Sequence, residues 1–96
     1  MRRVMVRYRV KPDQVERNEE LVRAVYEELR QAAPDGFRYA TFKLDDGVSF
    51  VHIAFTEGDS PLPSLTAFSE FQEDIGERCV DPPVVTELHE VGSFRL

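Results

Sequence analysis

Residues 37–56 read FRYATFKLDDGVSFVHIAFT. Two runs rich in β-branched and aromatic residues, 37–44 and 48–56, flank the tripeptide Asp45-Asp46-Gly47. An Asp-Gly pair between such runs is a strong signal for a tight hairpin, because glycine accepts the positive φ that the turn requires. The stretch therefore predicts two antiparallel strands, which form the framework of the fold.

The segment before the hairpin predicts a strand followed by a helix. Residues 3–10 alternate strictly between two sets of side chains, which is the period of a half-buried strand. Asp13 and Glu16 have the spacing of a capping box at a helix start. The helix is expected to end at the breaker sequence Pro34-Asp35-Gly36. One stripe of this helix is expected to face the core: Val15, Val22, Val25, Leu29 and Ala32 or Ala33.

The segment after the hairpin predicts a second helix and a last strand. A proline-rich loop, 57–63, precedes the helix, and Ser60 or Ser64 is expected to cap it. Pro82-Pro83 is expected to end the helix, and residues 84–91 form the last strand. Both alternating sets of that strand contain valine, so the sequence does not determine which set faces the helices. The apolar positions of the second helix are Leu65, Phe68, Phe71 or Gln72, Ile75 and Cys79.

These elements follow the order β-α-β-β-α-β, which predicts an α+β fold of the ferredoxin-like class spanning residues 1–96 as a single domain. Right-handed crossovers place both helices on one face of a four-stranded antiparallel sheet, with the first and third strands in the middle. The expected core on that face is Val4, Val6, Tyr8, Val22, Val25, Leu29, Val51, Ile53, Phe55, Leu65, Phe68 and Ile75.

Composition excludes several classes of partner. Twelve Lys and Arg against eighteen Asp and Glu give a net charge of −6, which opposes binding to nucleic acid. Cys79 is the only cysteine, so no intrachain disulfide forms and a cytoplasmic location is expected. The sequence has no apolar run long enough for a membrane span or a signal peptide, so no membrane partner is expected.

The second face of the sheet is left without a helix to cover it. The alternation places these residues there: Arg3, Met5, Arg7, Arg9, Tyr39, Thr41, Phe50, His52 and Ala54. Antiparallel sheets tolerate a solvated face, but clustered aromatic side chains favour a partner surface. A homodimer is therefore expected, with Phe94 and Leu96 of the tail able to reach across the interface.

The pattern resembles the dimeric α/β-barrel superfamily that includes the antibiotic biosynthesis monooxygenase-like proteins. The resemblance covers nearly the whole chain. It rests on the element order, the strand leading into a charged helix through Lys11-Pro12-Asp13, the aromatic segment AFSEF at 67–71, and the closing strand. It implies a homodimer whose sheets pack face to face, with a small-molecule pocket between sheet and helices in each subunit.

Members of this superfamily include cofactor-free oxygenases and haem-degrading enzymes. The haem-degrading branch relies on an Asn, Trp and His set, whereas this chain has no Trp and its only Asn, Asn18, lies on the first helix. That branch is therefore not expected here. The resemblance by itself does not determine the chemistry.

His52, Arg7 and Tyr39 are the candidate catalytic residues. A histidine on a central strand can act as a general base near neutral pH, and Arg7 is expected to be its cross-strand neighbour and to hold an anionic substrate. Tyr39 is expected to orient the substrate. The alternatives are a hydrogen-bonded histidine at the dimer interface, and arginines paired with Glu87, Glu90 or partner carboxylates.

No cofactor and no metal are expected, because His52 and His89 alone make an incomplete ligand set. Cys79 is expected to be a small core residue and not a nucleophile. Two functions remain open from the sequence. One is a cofactor-independent monooxygenase-like enzyme acting on a small aromatic or enolisable compound. The other is a non-catalytic dimeric protein that binds a small ligand or has an accessory role.

Overall fold

The computed structural model describes residues 1–96, which form four strands, three helices and two short 3₁₀ turns. The elements are β1 Arg2–Val10, α1 Val15–Ala32, β2 Phe37–Lys43, β3 Ser49–Thr56, α2 Thr66–Gln72, α3 Ile75–Arg78 and β4 Cys79–Glu87, with 3₁₀ turns at Pro12–Gln14 and Leu62–Ser64. The sheet is antiparallel, with strand order β2-β3-β1-β4, so the predicted ferredoxin-like α+β fold with β1 and β3 central is confirmed.

The hairpin between β2 and β3 forms where the sequence predicts it. Gly47 has φ of +76°, a conformation that other residues rarely adopt. The Asp46 carboxylate accepts hydrogen bonds from the Ser49 hydroxyl and from the backbone N–H groups of Val48 and Ser49. These bonds lower the pKa of Asp46 to about 2, so the carboxylate stays charged and holds the turn.

The ends of the helices differ from the prediction. Asp13 lies inside the 3₁₀ turn that precedes α1 and makes no capping hydrogen bond, so the expected capping box is wrong. The cap of α2 comes from a different helix. The Glu28 carboxylate of α1 accepts the N–H groups of Thr66 at 3.2 Å and Ala67 at 2.8 Å, a role that the sequence analysis had assigned to Ser60 or Ser64.

The second predicted helix is interrupted. α2 ends at Gln72, Asp74 takes a left-handed φ of 60°, and α3 then runs for four residues. The guanidinium of Arg78 folds back and donates to the carbonyl oxygens of Phe71 and Glu73, which therefore need no further helical turn. This break moves Cys79 out of the helix, where it was expected, and to the start of β4.

Strand β4 contains the two prolines that were expected to precede it. It begins at Cys79 and ends at Glu87, whereas the prediction was 84–91. Its register against β1 shifts on both sides of the Arg9–Asp81 pair, so the strand is bulged there. A proline lacks the N–H that a regular ladder needs, and an irregular edge strand is where the sheet tolerates one.

The facing of β3 is opposite to the prediction. Phe50, His52 and Ala54 are buried under the helices, and Val51, Ile53 and Phe55 face the other side. The register explains the reversal: Tyr8 pairs with Phe50 and Val6 with His52, and directly paired residues share a face. Because Tyr8 is buried under the helices, its partner Phe50 must be buried there too.

The core therefore lies between the helices and a sheet face that includes His52. Tyr39 and Thr41 of β2 also face the helices, since they pair with Ala54 and His52. The buried apolar cluster is Tyr8, Val10, Leu21, Val22, Val25, Phe50, Leu62, Leu65, Ala67, Phe71 and Cys79. Of the expected core residues, Val6, Leu29, Phe68 and Ile75 pack partly buried against this cluster. None of the helices is both long and apolar enough to cross a membrane.

Candidate active site

His52 occupies the centre of the covered face of the sheet. Its exposed fraction is 5%, and its ring lies among three aromatic rings. The ring centroid is 5.3 Å from that of Tyr8, 5.7 Å from that of Tyr39 and 5.4 Å from that of Phe71. Strands β1, β2 and helix α2 therefore each contribute one wall to the surroundings of the imidazole.

Both ring nitrogens of His52 are hydrogen-bonded to hydroxyl groups. The Tyr8 hydroxyl lies 2.7 Å from Nε2, and the Tyr39 hydroxyl lies 2.7 Å from Nδ1. The Thr41 hydroxyl lies 3.1 Å from Nδ1. No carboxylate takes part in these bonds, so no negatively charged partner stabilises a charged imidazolium.

The hydrogen bonds continue from the histidine in two directions. On one side, Asn18 Nδ2 donates to the Tyr8 hydroxyl at 2.9 Å, and Arg78 Nε donates to Asn18 Oδ1 at 3.3 Å. On the other side, the Thr41 hydroxyl lies 2.7 Å from that of Tyr26. We call these residues the polar network: Tyr8, Asn18, Tyr26, Tyr39, Thr41, His52 and Arg78.

Burial determines the charge state of this network. Loss of solvation lowers the pKa of His52 to about 4, so the imidazole is neutral at pH 7. The same loss of solvation raises the pKa values of Tyr8 and Tyr39 above their ordinary value, so both phenols keep their protons. The site therefore presents neutral, polar hydrogen-bonding groups within an aromatic shell.

Two small clefts lead from the surface to the network between α1 and β2. One, of about 230 Å³, is lined by Tyr26, Thr41 and Phe50 together with Glu19, Val22, Arg23 and Lys43. The other, of about 240 Å³, is lined by a mostly apolar set that includes Tyr26 and Tyr39. The hydroxyl-bearing residues nearest Nδ1 of His52 thus also reach the surface of the protein.

The structure brings together two of the three predicted site residues. Tyr39 and His52 are in contact, but Arg7 lies on the opposite face of the sheet, where it pairs with Val51. The expectation that Arg7 neighbours His52 is wrong, because it depended on the reversed facing of β3. Arg7 instead lines an open groove of about 630 Å³ with Asp46, Asp81 and Thr86.

The other arginines of β1 form ion pairs with carboxylates of the same chain. Arg9 lies 2.9 Å from Asp81, Arg3 lies 3.8 Å from Glu90, and Arg2 lies 2.8 Å from Glu87. The alternative of pairing with Glu87 or Glu90 therefore describes Arg3 and its neighbour Arg2, whereas Arg9 pairs with Asp81 instead. Arg7 makes none of these ion pairs.

The remaining candidate residues lie away from the network. His89 is exposed and lines a surface groove with Arg3 and Glu90. The chain contains no group of three His, Cys, Asp or Glu side chains arranged to hold a metal ion. Cys79 is a buried free thiol of the core cluster, and burial raises its pKa, which keeps it protonated.

Sequence reasoning missed Asn18 and Arg78, and a signal for the first was present. Asn18 falls within the apolar stripe of α1, between Val15 and Leu21, and a polar side chain on such a stripe requires a buried partner. Tyr8 carried a similar signal, since a tyrosine expected in the core needs a partner for its hydroxyl. Arg78 gave no such signal, because its burial depends on the break between α2 and α3.

Comparison with solved structures identifies the architecture. One solved antibiotic biosynthesis monooxygenase superposes with a TM-score of 0.77 at 20% sequence identity, over 96% of this chain and 100% of the other. The chain has the fold of the antibiotic biosynthesis monooxygenases. A Mycobacterium tuberculosis protein shares this fold with a TM-score of 0.76 at 23% identity, over 96% of both chains.

A third structure with the same fold, from Nitrosomonas europaea, is described as a proposed antibiotic biosynthesis monooxygenase. Its TM-score is 0.76 at 17% identity, over 96% of this chain and 100% of the other. No protein-family model matches the sequence, and no curated protein matches it. The monooxygenase fold is therefore established by shape at identities that leave the chemistry to be argued from the site.

Proposed function

We propose that this protein is a monooxygenase-like enzyme that oxidises a small aromatic or enolisable compound without a cofactor, with His52 and Tyr39 in its site. The observation that carries the proposal is the buried imidazole, which is hydrogen-bonded at both nitrogens to hydroxyls. The two residues whose hydroxyls contact Nδ1, Tyr39 and Thr41, each line a surface cleft. The shared fold of the antibiotic biosynthesis monooxygenases supports the same choice.

The substrate class follows from what these groups can stabilise. Phenolic and imidazole hydrogen-bond donors in a dry aromatic site favour a substrate oxygen that gains negative charge, as a ketone does when it becomes an enolate. The Tyr26 and Tyr39 rings stack with centroids 5.3 Å apart, and such flat surfaces suit an aromatic substrate. An aryl ketone with an acidic CH₂ group satisfies both requirements.

The proposed reaction balances without an external reductant. The CH₂ group gives up both hydrogens and four electrons to O₂, so one oxygen atom becomes the oxygen of a new carbonyl and the other leaves as water. One CH₂ proton passes to solvent water as the enolate forms, electron transfer to O₂ starts from that enolate, and the proton is taken up again when the reduced oxygen leaves as water. The enzyme's part is to stabilise the enolate.

His52 acts in this proposal as a hydrogen-bonding group and not as the general base that the sequence suggested. A histidine whose pKa is about 4 is a weak proton acceptor at pH 7, where it is already neutral. Tyr39 takes the substrate-orienting role, because its hydroxyl touches His52 and its side chain lines one of the clefts. Arg7 belongs to a different surface.

That surface is the face of the sheet opposite the helices, which we call the open face, and we propose that a second copy of the chain covers it. The register places three cross-strand rows there: Thr86-Met5-Ile53-Ala40, Val84-Arg7-Val51-Phe42 and Arg3-Phe55-Arg38. Phe42 and Val84 are 56% and 62% exposed. A twofold axis lets such a mixed patch cover its own copy, and the tail residues Phe94 and Leu96 are exposed enough to add to the contact.

The dimer is tested with a matched pair of substitutions on one strand. Val84 points to the open face, and Val85, 61% exposed, points to the helix side. Val84→Glu is expected to shift the mass seen by light scattering from about twice the monomer to the monomer, and Val85→Glu is expected to leave it unchanged. A wild-type monomer at high concentration would remove the dimer from the proposal.

The activity is tested by oxygen uptake with aryl ketones that carry an acidic CH₂ group, such as anthrone. The wild type is expected to consume one O₂ for each carbonyl formed. His52→Gln and Tyr39→Phe are expected to lower kcat/KM by about 10²-fold, the usual effect of losing one such donor. His89→Gln is the matched control and should turn over normally. Wild-type uptake equal to that of both site variants contradicts the proposal.

A second function, binding of a small ligand without turnover, is favoured by one observation. Every buried side-chain nitrogen and oxygen already has a hydrogen-bond partner within the chain, so the network is stable without a reacting molecule. In that case titration with the same ketones should show saturable binding in the wild type, weakened by Tyr39→Phe, with no oxygen consumed.

A further inference from the structure

Arg78 forms one end of the polar network, and its chemistry determines which groups donate and which accept in the hydrogen bonds next to it. Arg78 is 5% exposed, and a guanidinium can only donate hydrogen bonds. Its Nε faces the side-chain amide of Asn18 at 3.3 Å, so the group of Asn18 that it meets must be the oxygen Oδ1. Its other two nitrogens donate to the Phe71 and Glu73 carbonyl oxygens, which hold the guanidinium in place.

The orientation of the Asn18 amide determines the direction of its hydrogen bond with Tyr8. Because Oδ1 faces Arg78, the amide nitrogen faces the Tyr8 hydroxyl at 2.9 Å and donates to its oxygen. Asn18 is fully buried, so no solvent competes for the amide. The Tyr8 hydroxyl then has one proton left to place, and the partner available to it is Nε2 of His52 at 2.7 Å.

The same argument fixes the proton of the imidazole. If Nε2 carried a hydrogen, the Tyr8 oxygen would face two donors, and its own buried proton would have no acceptor, which is strongly unfavourable. Nε2 must therefore accept from Tyr8. A neutral imidazole carries a single N–H, which then lies on Nδ1 and points to the hydroxyls of Tyr39 and Thr41.

We infer that Arg78 is a positioning residue that selects the Nδ1–H tautomer of His52 through Asn18 and Tyr8. The hydrogen bonds run from Arg78 of α3 through Asn18 of α1 and Tyr8 of β1 to His52 at the centre of β3. The consequence for chemistry rests on the proposed function. With Nδ1–H donating to the Tyr39 oxygen, the Tyr39 O–H is left to donate toward the cleft, where it would stabilise an enolate oxygen.

The tautomer can be measured without any substrate. In protein with ¹⁵N-labelled histidine, the ¹⁵N shifts and long-range couplings of the ring distinguish a protonated from an unprotonated nitrogen. His89→Gln assigns the signals of His52 by removing the other set. The wild type is expected to show the Nδ1–H form, and an Nε2–H form in the wild type overturns the inference.

Asn18→Asp provides the sharpest variant. An aspartate can accept from Arg78 and from Tyr8 at once, so the Tyr8 proton turns away from His52, and the tautomer is expected to switch to Nε2–H. Arg17→Gln is the control, since Arg17 is an exposed arginine of the same surface groove as Arg78. An unchanged tautomer in a folded Asn18→Asp protein contradicts the inference, as does a switch in Arg17→Gln.

A second variant keeps the test valid if Asn18→Asp does not fold. Tyr8→Phe removes the only donor to Nε2, so the single tautomer is expected to become a mixture of both. If His52 remains entirely Nδ1–H in Tyr8→Phe, Tyr8 does not select the tautomer and the inference fails. The predicted tautomers without oxygen uptake would reject the proposed enzyme alone. Uptake with the opposite tautomer would reject the role of Arg78 alone.

Discussion

The two faces of the sheet are built from the same strands but differ in their burial and in their polar contacts. The covered face combines aromatic packing with a closed set of hydrogen bonds, in which Asn18, His52 and Arg78 are all buried. The open face mixes apolar residues with arginines, and its Arg9–Asp81 ion pair is exposed to solvent. The proposed chemistry uses the covered face, and the proposed second copy of the chain packs on the open face.

The comparison predicts the largest difference for two phenylalanines. Phe50 on the covered face is 2% exposed, whereas Phe42 on the open face is 56% exposed. Phe50→Ala should lower the free energy of unfolding by about 3–5 kcal/mol, because it leaves a cavity among the rings. Phe42→Ala should cost far less in urea unfolding at dilute concentration. Equal losses would mean that the two faces are buried alike.

A second prediction uses pH. The pKa of His52 in the folded protein, about 4, lies below its ordinary value of 6.5, so the unfolded chain binds the proton first as pH falls. Stability should therefore fall between pH 6.5 and 4, by up to about 3 kcal/mol from this group. His52→Gln lacks this contribution, so urea unfolding of the two proteins across that range should show a steeper decline in the wild type. Parallel curves would contradict the burial of a neutral imidazole.

A third prediction concerns the hydrogen bonds of the network. Asn18→Leu removes the partner of both Arg78 and Tyr8 and should cost about 1–3 kcal/mol for the groups left unpaired. The matched substitution is Leu21→Asn on the same helix, which buries a new amide without partners and should be at least as harmful. Thermal unfolding of both variants measures the difference. Asn18→Leu at wild-type stability would show that the network is not closed.

The smallest effect is expected on the open face. Arg9 and Asp81 form an ion pair at 2.9 Å with about half of each side chain or more exposed. Asp81→Asn should change the free energy of unfolding by no more than about 1 kcal/mol, and less in high salt, because solvent screens the pair. A larger loss in the dissociated monomer would show that this face contributes more to folding than its exposure indicates.

Much of the fold could be predicted from local patterns. The Asp-Gly turn, the alternation of residues 3–10 and the helix breakers specify element order, and handedness then specifies the order of strands. The facing of β3 could not be predicted this way. Both of its alternating sets are mainly apolar, so hydrophobicity does not distinguish the side under the helices from the other.

The site was less predictable, because its contacts join distant residues. His52 and Tyr39 could be selected from residue type, but Tyr8 is 44 residues from His52, and Arg78 is 60 residues from Asn18. The prediction that Arg7 lies beside His52 depended on the wrong facing of β3. The start of β4 was also not predictable, because prolines usually end an element and here two prolines lie within a bulged strand.

Helix α2 has only seven residues, and both of its ends are held by side chains from other elements, Glu28 at the start and Arg78 at the end. A helix this short does not persist alone in water, so its folded state depends on those two anchors and on its packing. Phe71 of α2 lies directly against the ring of His52. Local unfolding of α2 would thus remove Phe71 from the imidazole and admit water to it, and hydrogen exchange of the α2 amides should report how often that occurs.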